Sequence, residues 1–136
     1  MKRSRGFANP EYLLTLAFIL IVLSIVIPSF FRARTLSRNL RALGVLRGAI
    51  SRYAAETKTH GPAQLSDLTK GGKYLTEIPS VEIPGLHPRS AQVREMGETD
   101  DSGGWTYSNL FTGVRPGEVW INCTHAEREG KTWNTY

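Results

Sequence analysis

From Tyr12 to Phe31 the chain reads YLLTLAFILIVLSIVIPSFF, a block without a single charge. A helix of about 20 residues rises about 30 Å, the thickness of one bilayer hydrocarbon core. Such a block is either the core helix of a water-soluble fold or a membrane span. With 136 residues in all, the chain is too small to wrap an all-round apolar helix on every side, which favours the span. Thr15, Ser24 and Ser29 are the only aliphatic hydroxyls in the block, and they can bond back to helix carbonyls. A secretory signal has a shorter apolar region, of about 7–15 residues, that ends in a small-residue cleavage site. Here Pro28, Phe30 and Phe31 stand at that end instead, which argues against cleavage there. The remaining residues suffice for one modest core and leave no room for a multi-domain enzyme.

The net charge of +5 is local. Removing Lys2, Arg3 and Arg5 lowers it to +2. Arg32, Arg34, Arg38, Arg41, Arg47 and Arg52 follow the apolar block with no acid among them, and the stretch from Glu56 onward has more acids than bases. Basic residues flank the block on both sides, so the positive-inside rule alone does not orient it. The arginines read as a solvated or partner-facing surface. They lack interleaved aromatic residues, so no nucleic acid is expected as a partner. The single cysteine, Cys123, excludes an internal disulfide and any multi-cysteine metal site.

The helix should begin at Pro10, with Asn9 as its N-cap and Glu11 in its first turn. Pro28 removes one helical hydrogen bond and should kink or loosen the helix. Beyond the block, Leu36, Leu40, Leu43, Leu46, Ile50 and Tyr53 recur every three or four residues. They form an apolar stripe that needs a sheet to cover it. Gly44 and Gly48, four apart, either permit close helix contact in a fibre or are simply weak points costing about 1 kcal/mol each relative to alanine. Residues from Thr57 to Gly61-Pro62 end the helix, and Gln64–Leu68 fits one short helical turn. Gly71-Gly72, Pro79, Pro84 and Pro88 mark a long irregular connection. Trp105–Leu110, Glu118–Thr124 and Lys131–Tyr136 read as strands, with turns at Thr112–Gly117 and Glu127–Gly130. Val119, Ile121 and Cys123 share one apolar strand face, opposite Trp120 and Asn122. The fold class is α+β: a long N-terminal helix on a small antiparallel β-sheet.

The start of the chain also carries a resemblance. A basic leader, KRSRG, ends at Gly6; Phe7 follows; Glu11 is the fifth residue counted from Phe7 and Pro28 the twenty-second. This spacing resembles the class III signal of type IV pilins and the major pseudopilins of type II secretion systems. The resemblance continues through Tyr53–Thr57, His60-Gly61-Pro62, Leu65–Leu68, Tyr74-Leu75 and Ile78-Pro79. It extends more loosely to Gly104–Tyr107 and Gly117–Asn122. Ala8, Asn9 and Pro10 depart from the apolar or hydroxyl residues usual in the family before the acid.

The resemblance implies cleavage of a leader, residues 1–6, between Gly6 and Phe7, and N-methylation of Phe7. Residues 7–31 would be the membrane and filament-core segment, and residues 32–136 a pilin-like globular domain. It implies a single-pass protein of the inner membrane whose globular domain lies outside the cytoplasm. That protein would polymerise with copies of itself into a periplasmic or surface filament that drives export, with Glu11 and Pro28 serving subunit assembly. Implied partners are a prepilin peptidase, an inner-membrane platform protein and an assembly ATPase. The competing expectation is a membrane-anchored extracytoplasmic binding module that never polymerises.

Candidates for chemistry are few, and no catalytic activity is expected. Cys123 and His125 share a strand face, but the local sequence offers them no orienting acid. His60 and His87 sit beside glycine and proline in what read as surface loops. Glu98, Asp100 and Asp101 form an acidic loop, and some major pseudopilins bind calcium in a loop of this region; the spacing is not that of a calcium loop. No other cofactor is implied. Asn122-Cys123-Thr124 matches the glycosylation sequon, against which a buried strand position argues. Trp105, Trp120 and Trp133 read as core or subunit contacts.

Overall fold

Asn9 and Pro10 start the first helix where the sequence places it. In the computed structural model, which describes residues 9–95, 98–109, 117–127 and 130–136, α1 runs from Pro10 to Thr57. The Asn9 carbonyl accepts the N–H groups of Tyr12 at 2.9 Å and Leu13 at 3.3 Å. Proline costs nothing at the first helical position, where its missing N–H has no helical partner to lose. Pro28 lies inside α1, which continues on both sides of it. The helix stops at Lys58, whose φ of +55° is left-handed, and the Thr59 N–H turns back to the Ala54 carbonyl at 3.2 Å. That closure satisfies a carbonyl the helix would otherwise leave open.

The chain forms two compact units, Met1–Arg34 and Thr35–Tyr136. In the first, every described residue is exposed, including Leu14 at 73% and Phe18 at 68%. Such exposure is the opposite of what a core helix shows. Thr15, Ser24 and Ser29 bond to the carbonyls of Glu11, Ile21 and Ile25 respectively, so these three hydroxyls are satisfied within the helix and can face an apolar medium.

In the second unit, the rest of α1 packs on two small sheets. Its inward face is Asn39, Ala42, Leu43, Leu46, Ala49 and Ile50, with Leu36 and Tyr53 partly buried at its ends. The sequence stripe is therefore shifted slightly. Leu40 is only half-buried, while Asn39, Ala42 and Ala49 take inner positions. The strands β1 (Val81–Ile83) and β2 (His87–Ser90) form an antiparallel hairpin. Pro84-Gly85 make its turn, with the Leu86 N–H on the Ile83 carbonyl at 3.0 Å. This hairpin occupies what reads in the sequence as an irregular connection. Pro88 is tolerated because β2 pairs on one side only.

The second sheet has the order β3 (Val93–Arg94), β4 (Trp105–Ser108), β5 (Glu118–Ile121). β4 and β5 are antiparallel, Trp105 opposite Ile121 and Tyr107 opposite Val119. β3 joins β4 in parallel, so the sheet is mixed rather than purely antiparallel. Gly104 makes that junction: its φ is +74°, and a Cβ there would meet the Gln92 carbonyl oxygen at 2.5 Å. The expected strand Lys131–Tyr136 is instead one bridge, Ala126 to Thr132, followed by a 3-10 turn at Trp133–Thr135. The Asn134 N–H on the Cys123 carbonyl, 2.9 Å, ties this turn beside the end of β5.

The core joins Leu43, Leu46 and Ile50 of α1 to Val81, Trp105, Tyr107, Val119 and Ile121, with Leu65 and Leu68 from the 3-10 helix Leu65–Gly72. The polar tips of Trp105 and Tyr107 are satisfied, as buried aromatic tips generally are. Trp105 Nε1 donates to the Pro79 carbonyl at 2.6 Å, and the Tyr107 hydroxyl donates to the Pro62 carbonyl at 2.7 Å.

Candidate functional site

Two regions carry the residues singled out by the sequence. The first is the start of α1. Glu11 stands in the first helical turn and is exposed, and Pro28 lies within the apolar stretch. Gly6 and Phe7 lie outside the described residues. An acid in a first turn interacts favourably with the helix dipole, worth about 0.3–1 kcal/mol. From Tyr12 to Phe31 the helix exposes apolar side chains all round, and α1 is long and apolar enough to cross a membrane.

The arginines beyond it divide by role. Arg38 pairs with Glu82 at 2.7 Å. Arg47 donates to the backbone carbonyls of Val119 and Tyr136, and Arg52 to that of Tyr74. These three stay exposed, and they also tie the later part of α1 to the rest of Thr35–Tyr136. Arg34 lies over the Phe30 ring, 4.1 Å from its centroid. Gly44 and Gly48 are exposed and have open space where a Cβ would be.

The second region lies at the end of β5. Asn122 is fully buried and knits the acidic loop onto the sheet. Its Oδ1 accepts the Asp100 N–H at 2.9 Å, and its Nδ2 donates to Asp100 Oδ1 at 2.7 Å and Ser102 Oγ at 2.8 Å. An amide so committed leaves the sequon without an accessible nitrogen. Ser102 adds its own N–H and hydroxyl to Asp100 Oδ1, and Arg94 pairs with Oδ2. Hydrogen bonds from Asn122 and Ser102, helped by the Arg94 charge, hold the Asp100 carboxyl down at about 2. Asp101 follows in the left-handed region, φ +59°. Its carboxylate accepts both the hydroxyl and the N–H of Thr124, which lower its pKa.

That loop brings an acid to Cys123 and His125, which the local sequence does not provide. Asp101 Oδ1 lies 3.5 Å from His125 Nδ1, and Cys123 Sγ lies 3.3 Å from the same nitrogen. His87, at the start of β2, is half-buried rather than on an open loop, and its ring lies 5.8 Å from that of His125, centroid to centroid. His60 is exposed, as expected.

A nucleophile–base–acid relay needs the acid on one ring nitrogen and the nucleophile on the other. Here both converge on Nδ1, and Cys123 is fully buried. Burial also pushes the thiol pKa up, away from the reactive thiolate. The arrangement is a convergence of ligand atoms, not a proton relay. Sequence reasoning could see the Cys-x-His pair. It could not see His87 or Asp101, which reach the site only through the hairpin and the parallel β3–β4 junction.

Comparison with family models, with curated proteins and with solved structures finds no match to this chain.

Proposed function

We propose that this chain is the structural subunit of a type IV pilus-like filament, most like a pseudopilin of a type II secretion system. One observation carries the reading: Gly6, Phe7, Glu11 and Pro28 stand at the spacing of the prepilin signal, at the head of a helix whose first part exposes apolar side chains all round. In this reading the leader stays in the cytoplasm and is cut after Gly6, and Phe7 is methylated. The apolar helix rests in the inner membrane until it exchanges lipid for neighbouring helices. The work is mechanical, and no reaction is assigned to the chain. A prepilin peptidase, a platform protein and an assembly ATPase complete the apparatus.

The physical core of the proposal is Glu11. A carboxylate moved among packed apolar helices without a partner costs several kcal/mol. The amine freed at Phe7 of a neighbouring subunit is the cation that removes this cost, and the pairing fixes the axial register between subunits. Methylation keeps that charge.

Glu11→Ala tests it. Processed Glu11→Ala protein should accumulate in the membrane while sheared or sedimented filaments fall more than about tenfold; Glu11→Asp should recover part of the assembly. Wild-type levels of filament from Glu11→Ala would remove the proposal. A chain that never sediments as a filament and functions without Glu11 would instead be the membrane-anchored binding module.

A further inference from the structure

We propose that His87, Asp101, Cys123 and His125 bind a transition-metal dication, with zinc the best match, and that the metal fastens the β1–β2 hairpin and the 100–104 loop to the end of β5. One ligand-capable atom from each of the four residues lies within 4.8 Å of the others. Cys123 Sγ and Asp101 Oδ1 approach His125 Nδ1 at 3.3 and 3.5 Å. In tetrahedral zinc sites, metal–ligand distances of about 2.0–2.3 Å place the ligand atoms roughly 3.3–3.7 Å apart. Two of the contacts already lie at or near that separation, and the remaining ones, all within 4.8 Å, exceed it by at most about 1 Å.

The donor set selects the ion. Two imidazoles and a thiolate are poor ligands for calcium or magnesium, which take oxygen, and good ones for zinc. Thiolate and carboxylate together balance the dication. Four protein ligands fill a tetrahedron, which marks a structural site rather than one with an open position for chemistry.

The surroundings fit the role. His87 Nε2 is buried and has no hydrogen-bond partner among the described residues, a costly state for a ring nitrogen unless something else engages the imidazole. Asp101 is held by Thr124, and its loop is held by Asn122. Such outer contacts orient ligands before the metal arrives. The four ligands come from β2, the 100–104 loop and the segment after β5, so one ion would join three separate pieces of backbone. The inference is independent of filament assembly, because none of these residues belongs to the apolar segment.

The test uses the full chain in detergent micelles, stripped with a chelator and then titrated with zinc or cobalt under reducing conditions. The expected result is one zinc per chain by elemental analysis. Cobalt should give the ligand-field bands of a tetrahedral site with a thiolate-to-metal charge-transfer band, and zinc should raise the unfolding temperature. Cys123→Ser should abolish the charge-transfer band. His87→Gln, at a half-buried position where folding is expected to survive, should weaken zinc binding more than about 100-fold, beyond the usual effect of losing an outer contact. His60→Gln should bind like wild type. The proposal is overturned if zinc fails to bind stoichiometrically, if His87→Gln folds and binds zinc as wild type does, or if calcium is bound in preference.

Discussion

Asn39 is the polar residue at the N-terminal end of the inward face of α1, and it is fully buried. Its amide does what a neighbouring strand would do for β1: Nδ2 donates to the Glu82 carbonyl at 2.7 Å, and Oδ1 accepts the Glu82 N–H at 3.3 Å. A side chain that satisfies both backbone groups of one residue fixes helix and hairpin together. Asn39→Ala should therefore cost about 2–3 kcal/mol, from the unmatched Glu82 groups and the space left behind. Denaturant unfolding followed by tryptophan fluorescence measures it, and a loss below about 0.5 kcal/mol would contradict this account. Asp100 makes a second prediction. Its folded pKa, about 2, lies below the ordinary value near 3.9. In that interval the unfolded chain binds more protons than the folded one. The contribution of Asp100 is thus complete above about pH 4 and is lost as pH falls toward 2. Asp100→Asn should flatten the acid limb of the stability profile between those values, and an unchanged limb would show that the Asn122–Ser102 clamp does not act this way.

Elements whose causes are local were legible in the sequence. Asn9-Pro10 fixed the start of α1, and alternation in Glu118–Ile121 and the aromatic run Trp105–Tyr107 marked the central strands. The hairpin β1–β2 was not legible, because Pro84 and Pro88 read as breakers and only pairing on a single edge lets Pro88 join a strand. Nor was the inward turn of Asn39 or Asn122, since each is buried by partners distant in the chain, Glu82 for one and Asp100 for the other. The site after β5 followed the same division: Cys123 and His125 are visible as neighbours, while His87 and Asp101 arrive by topology. Gly117 tests the element scale. It has φ +80°, and a Cβ there would lie 2.2 Å from the His60 carbonyl oxygen. Gly117→Ala should destabilise the β4–β5 pair by at least about 2 kcal/mol through backbone strain and the clash. Thermal unfolding would reveal this, and an unshifted transition would mean that the start of β5 does not need the glycine.

At the scale of the molecule, the chain separates two kinds of apolar surface. Within Thr35–Tyr136 the apolar side chains of α1 meet the sheets. Between Tyr12 and Phe31 the apolar side chains stay exposed. Monomeric proteins in water rarely keep exposed apolar surface on this scale, and the proposed function has lipid or neighbouring helices cover it. The protein should remain in the membrane fraction through an alkaline carbonate wash and leave it only with detergent; release by carbonate alone would contradict the span. The proposed filament assembly makes the further demand that the mature chain begin with a freed amine on Phe7. The intact mass of the protein extracted from cells that carry the assembly apparatus tests this most directly. The account predicts a chain that starts at Phe7 and carries one added methyl group. A chain that still starts at Met1 would contradict it.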